Sequence, residues 1–167
     1  MGATGKILVV VLSVCAVVAV VAVVAVLSVP RIENVAPAVA RFEVAINNQT
    51  IIVELVSTPE QMARGLGGRD RIGINEGMLF SFAASGIYPF WMKDMRFPID
   101  IVWIRDGRIV GVTERIDPQI GAPDVELRSY PPPEPVTQVL ELAAGRVRLL
   151  HAAPGMPVAV RSLLGNR

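Results

Sequence analysis

The feature that most constrains this chain is a run of 23 residues without a charge, Ile7 to Val29, ILVVVLSVCAVVAVVAVVAVLSV. As a helix it would be roughly 35 Å long, enough to cross a hydrocarbon core of about 30 Å with some tilt. Valine is a mediocre helix former in water. In lipid, the cost of unpaired backbone groups forces the helix regardless. The run therefore predicts a single transmembrane helix over residues 7–29. A cleaved signal peptide is the alternative, but its apolar region spans about 7–15 residues and closes on a small-x-small site. Here the run is longer, and the clearest such triplet, Ala38-Val39-Ala40, lies well beyond it.

The flanks set an orientation. The tail of residues 1–6 carries Lys6 and no acid, and the far flank carries Arg31 and Glu33. The positive-inside rule predicts the N-terminus in the cytoplasm and the domain outside. The expectation is a single-pass protein of the cytoplasmic membrane with an extracytoplasmic domain, or an exported domain if the run is cleaved. Of the 16 Lys and Arg residues all but Lys6 follow the run, leaving 15 bases against 15 acids. With no basic stripe, nucleic acid is not an expected partner. The only cysteine, Cys15, lies inside the run, so the domain has no disulfide framework, thiolate nucleophile or Cys-based metal site.

Residues 30–40 (PRIENVAPAVA) read as a linker, because two prolines oppose a continued helix. The domain is expected over 41–164, and about 125 residues suffice for one core. Arg41–Asn47 and Gln49–Ser57 read as strands joined by a tight turn at Asn47-Asn48. Thr58, Pro59 and Gln61 form a capping-box helix start, and the helix stops near Gly65. Strands are expected at Met78–Phe82, Tyr88–Met92, Ile99–Ile104, Arg108–Ile116, Val136–Leu142 and Val158–Leu163. Asp106-Gly107 makes a hairpin turn and a short helix falls within Ala143–His151. Six prolines between Asp117 and Pro135 make that segment an irregular loop. The Tyr130–Pro135 run reads as a stiff loop over its own domain, anchored by Tyr130, or as a polyproline II docking segment. The fold class expected is α+β, mainly antiparallel β, a compact barrel-like sheet with one or two short helices after the transmembrane helix.

Chemistry concentrates between Glu76 and Gly111, which holds both tryptophans and four of the five phenylalanines. In a strand over Tyr88–Met92, Phe90 and Met92 face one way and Trp91 the other. Asp100, between Ile99 and Ile101, needs a partner when buried, and Lys93, Arg96 or Arg69 is the expected base. One reading is a ligand pocket walled by Trp91 and Tyr130, with Lys93, Arg69, Glu76, Asp94 and Asp100 as polar contacts. Another is a structural ion pair with Trp91 in the core. Glu76, Asp94 and Asp100 are also the candidate catalytic carboxylates, paired as Asp94 with Asp100 or Glu76 with Asp100. Serine and cysteine triads find no support. The lone His151 has no G-x-S-x-G near it and reads as a helix end. No zinc ligand set, EF-hand loop or phosphate loop is present, so no metal or cofactor is expected.

These residues resemble the DUF192 family over roughly Phe42 to Val160. The carriers are Arg64-Gly65-Leu66 with Arg69, Glu76-Gly77-Met78-Leu79-Phe80, Phe90-Trp91-Met92-Lys93, Pro98-Ile99-Asp100-Ile101, Asp106-Gly107, Tyr130, and Val139-Leu140-Glu141 before Gly145. Asp94 stands where the family usually has Asn, Gly67 where Met is common, and Met156 in place of an acid. The resemblance implies a compact β-rich fold, an N-terminal signal or anchor, a prokaryotic cell envelope and no established activity. Three functions follow as expectations: a non-catalytic binding or accessory module of the envelope, a carboxylate-dependent hydrolase of an envelope glycan or peptide, or a structural partner domain for another membrane protein. The partner is a small molecule, a glycan or a protein.

Overall fold

The computed structural model describes residues 40–163. The predicted tail, transmembrane run and most of the linker lie outside the described residues. Among the described residues no helix is long and apolar enough to cross a membrane.

The chain opens with β1 (Arg41–Ile46) and β2 (Gln49–Val56). Asn47 and Asn48 both take positive φ, 49° and 59°, which lets the strands pair antiparallel through a two-residue turn. Helix α1 (Pro59–Arg64) follows, with the Thr58–Gln61 capping box formed and Gly65 at its C-terminal end. The crossover through α1 returns the chain parallel to β2 as β3 (Glu76–Gly86). Then come β4 (Phe90–Trp91), β5 (Ile99–Arg105), β6 (Arg108–Ile116), β7 (Ser129–Tyr130), β8 (Val136–Ala143), α2 (Arg146–Leu150) and β9 (Ala159–Ser162). Asp106 and Gly107 take φ of 49° and 72° and place Ile104 opposite Ile109, as the turn chemistry predicts.

Seven strands form one sheet in the order β6-β5-β8-β3-β2-β1-β9, mainly antiparallel, and β4 pairs with β7 separately. The expected barrel does not close among the described residues. Its two edges approach at one end only, where Gly155 and Val158 donate to the Ile109 and Gly107 carbonyls at 2.8 Å and Ile109 donates to Met156 at 2.9 Å. Pro157, bridged to Arg108, has no N–H with which to extend this ladder.

Two further expectations change. The strand predicted over Tyr88–Met92 shrinks to Phe90–Trp91, and β3 runs on to Gly86 past a register shift after Ser81. Beyond it the Phe82 and Tyr88 rings stack, and the Tyr88 hydroxyl donates to the Ala84 carbonyl at 2.9 Å, so the chain arches back. The proline-rich loop is not wholly irregular either. Ser129 and Tyr130 precede Pro131, keep their N–H groups, and pair with Trp91 and Phe90. Tyr130 also packs on the core beneath, in keeping with a loop anchored on its own domain.

Period-two alternation splits the sheet into two apolar faces. On β5, Val102 and Ile104 join one cluster with Val44, Val53, Leu79, Leu140 and Leu142, covered by Val147 and Leu150 of α2. Ile99, Ile101 and Trp103 join the other with Met78, Phe80 and Val139, covered by Leu66, Met92 and Met95. Gly77 lets β3 and β8 meet: a Cβ there would lie 2.9 Å from the Glu141 carbonyl oxygen.

Candidate functional site

The second face does not fill completely. Beside Phe80 the chain leaves a cavity of about 270 Å³. Phe80 and Phe82 come from β3, Tyr88 to Trp91 from the arch and β4, and Met62 to Gly67 from the end of α1; Met95, Lys93 and Glu141 complete the lining. The walls are aromatic and interlocked. Phe80 meets Phe90 edge-on at 4.8 Å, Phe90 meets Trp103 edge-on at 5.7 Å, and Phe82 stacks on Tyr88 at 3.7 Å. Trp91 remains 56% exposed, while Trp103 is 1% exposed.

Glu141 is the one acid in the lining of this cavity. It sits on central strand β8, opposite Met78 of β3 and Ile101 of β5. Its neighbours Leu140 and Leu142 belong to the other face, so its side chain stands with Met78 and Ile101 on the cavity side. It is 5% exposed, and its Oε2 has no hydrogen-bond partner among the described residues. Burial pushes its carboxyl up to about 8; the Arg69 guanidinium pulls the other way and is outweighed. Arg69 is committed elsewhere, donating to both carboxylate oxygens of Glu54 at 2.8 and 2.6 Å. That bidentate pair holds Glu54 below its ordinary value and raises Arg69.

The residues singled out by sequence do not converge on one site. Trp91 and Lys93 line the aromatic cavity. Lys93 also borders an adjoining open groove with Asp94, Arg96 and the 119–127 loop, and pairs with Asp124 of that loop. The pair raises the Lys93 ammonium above its ordinary value. Asp94 takes φ of 56°, a left-handed conformation that Asn and Asp tolerate best, which accounts for a short polar residue at this turn. Arg69 and Glu76 line a separate small hollow with Glu54 and Arg41. Glu76 accepts from the Gly73 N–H at 3.0 Å. Tyr130 is half-buried under Arg128, whose guanidinium lies 5.1 Å from the ring centroid, and is not a wall of the cavity.

Asp100 is elsewhere. It is fully buried on the opposite face of the sheet, opposite Leu142 of β8. The expected basic partner is replaced by two backbone donors: Arg115 N–H at 2.8 Å and Val147 N–H at 2.9 Å. The second caps the start of α2, where Gly145 offers no side chain. Neither expected carboxylate pair forms. Gly77 shares the Leu142 row with Asp100, so Glu76 falls on the other face, and Asp94 borders the groove on the cavity side of the sheet. Among the described residues no three His, Cys, Asp or Glu side chains gather to hold a metal ion.

Sequence reasoning gave no site role to Glu141, the aromatic walls Phe80, Phe82, Tyr88 and Phe90, or Arg64, although Glu141, Phe80, Phe90 and Arg64 are among the residues that carry the family resemblance. One clue was present. Val139-Leu140-Glu141-Leu142 places a single acid inside an apolar stretch of a strand, and a central strand covered on both faces has no solvent for it.

The DUF192 profile, described as an uncharacterized ACR, matches residues 42–160. Two crystal structures are similar. A protein of Sinorhizobium meliloti 1021 described as a candidate transcription regulator has a TM-score of 0.63 and 31% identity, over 72% of this chain and 92% of that one. A protein of unknown function from Novosphingobium aromaticivorans DSM 12444 has a TM-score of 0.62 and 26% identity, over 71% of this chain and 83% of that one. No curated protein matches. With its profile spanning nearly all of the described domain, the chain belongs to the DUF192 family.

Proposed function

We propose that the domain is a non-catalytic binding module of the cell envelope, tethered through residues 7–29, and that it holds a small ligand in the aromatic cavity. The observation that carries this reading is the buried Glu141 carboxyl, whose Oε2 has no partner among the described residues, in the lining of a cavity with mostly aromatic and aliphatic walls. Leaving such an atom unmet costs about 1–3 kcal/mol, which a ligand donor or acceptor would recover. A concave, mostly apolar site with few polar groups is the usual form of a small-molecule site. Trp91, half-exposed in the lining, supplies contact area. The regulator description belongs to the Sinorhizobium relative. In this chain 15 bases balance 15 acids beyond the apolar run, which favours a small ligand over nucleic acid.

The test is a small-molecule screen on the full-length chain in lipid nanodiscs, read by Trp91 fluorescence and by thermal shift. Hits whose thermal shift is lost in Trp91→Ala, with the ligand-free melt unchanged, support the reading. A screen in which no compound moves either signal refutes it. The hydrolase reading now rests on Glu141 as a protonated general acid, since Asp100 lies across the sheet. It requires turnover that disappears in Glu141→Gln with folding intact. Membrane tethering requires that the full chain sediment with membranes and that its domain be cut by protease added outside the cell.

A further inference from the structure

Resting on that reading, we infer that the cavity takes one uncharged, hydroxyl-bearing ring, a single sugar unit, with its ring face on the aromatic walls and a hydroxyl on the Glu141 carboxyl. Three observations select this class. The walls contributed by Phe80, Phe82, Phe90 and Trp91 offer flat apolar faces, which suit a ring with an apolar side. Glu141, whose Oε2 has no partner among the described residues, is the one acid of the lining. The remaining charged groups of the lining, Arg64 and Lys93, are cations.

Other ligand classes fit these groups less well. A cationic amine would gain the aromatic faces but would enter beside Arg64 and Lys93, with Arg69 already acting on Glu141. An acyl chain would fill the cavity and leave Oε2 without a partner. A ring with hydroxyls meets the carboxyl in either protonation state, because a hydroxyl both donates and accepts. Desolvation keeps Glu141 largely protonated at neutral pH, so the uncharged form is the one a ligand meets. The groove next to the cavity shares Ala63, Arg64, Gly67, Lys93 and Met95 with it, so a sugar seated here has open space in which to continue as a longer glycan.

The experiment uses the full-length chain in lipid nanodiscs and acrylamide quenching of tryptophan. Trp103 is buried, so the quenchable signal is that of Trp91. Four probe sets are titrated: neutral mono- and disaccharides including N-acetylglucosamine, alkylammonium salts, fatty acids, and aromatic carboxylates. The expected result is shielding by at least one neutral sugar, with affinity within about threefold in Glu141→Gln. The amide keeps a donor and an acceptor. In Glu141→Leu the affinity falls ~10-fold or more, the equivalent of one lost hydrogen bond. The melting temperature of Glu141→Leu, equal to or above that of the parent, separates this loss from misfolding. Shielding by alkylammonium that is abolished in Glu141→Gln overturns the sugar assignment in favour of a cation and leaves the binding-module reading standing. Shielding by fatty acids or aromatic carboxylates alone does the same. Failure of every probe to shield Trp91 overturns both.

Discussion

Asp100 and Glu141 stand on neighbouring strands of one sheet, a diagonal step apart, and both are buried. Their side chains leave the sheet on opposite faces. Asp100 meets two backbone N–H groups, one holding Arg115 at φ of 48° and one starting α2. Glu141 meets none on Oε2 and lines a cavity. The same functional group is thus a structural clamp on one face and a candidate binding group on the other. Burial alone does not distinguish them; the count of donors does.

The sharpest way to break this contrast is to remove Asp100. Asp100→Ala leaves the buried Val147 N–H and the part-buried Arg115 N–H unmet and should cost about 2–4 kcal/mol by urea unfolding, at about 1–3 kcal/mol for the buried group, less for the other, plus some loss of packing. Asp100→Asn keeps one acceptor but turns an NH₂ toward a donor, and should cost about half as much. A variant that stays as stable as the parent would falsify the clamp.

The next effect is on pH dependence. The folded value of Glu141, about 8, lies above its ordinary 4.5. Between these values the native state holds more protons than the unfolded chain, so the Glu141 contribution to stability is fully present below pH 4.5 and declines as pH rises through 8. The slope approaches about 1.4 kcal/mol per pH unit inside that window. Glu141→Gln should remove it, leaving a variant flatter than the parent and more stable above pH 8. Parallel urea midpoints across pH 5–9 for the two proteins would count against an unmet carboxyl.

A smaller effect belongs to Arg69. Its pair with Glu54 is partly solvent-exposed, so Arg69→Ala should cost only about 1 kcal/mol after screening. Glu54 lies below its ordinary value, so its contribution is present above pH 4.5 and lost as pH falls through the folded value. Arg69→Ala should abolish that acid-side loss and raise Glu141 further, since Arg69 is the attraction that lowers it. An unchanged Glu141 titration in this variant would show that the two groups are screened from each other.

The smallest effect should be local. Asp124→Ala frees Lys93 from the 3-10 turn at Asp124–Glu126. Amide exchange should quicken over residues 119–128 while the global melt stays put. An equal change in α2 would mean the loop is coupled to the core.

Most of the β framework was legible from residues alone. The Asn47-Asn48 and Asp106-Gly107 turns, the Thr58–Gln61 capping box, the alternation of β2 and the run of β-formers in β5 all rest on a few neighbouring residues. What escaped depends on long-range placement. The partners of Asp100 come from Arg115 and Val147, 15 and 47 residues away, and neither is a side chain. Residue type therefore pointed to a salt bridge that the backbone makes unnecessary. The cavity unites α1, β3, the arch and β8, and no local pattern encodes such a meeting. Trp91 and Lys93 were found because bulky and charged residues cluster there in sequence, whereas Glu141 stands alone in an apolar stretch.

The most direct test is a carbon-13 NMR titration of the Glu141 carboxyl in the full-length chain, with Glu141→Gln assigning the resonance. A midpoint near 8 that moves when a ligand shields Trp91 is the predicted result. A midpoint in the ordinary carboxylate range, near 4.5, would mean that donors or solvent already satisfy Glu141, and the cavity would lose its reason to bind anything.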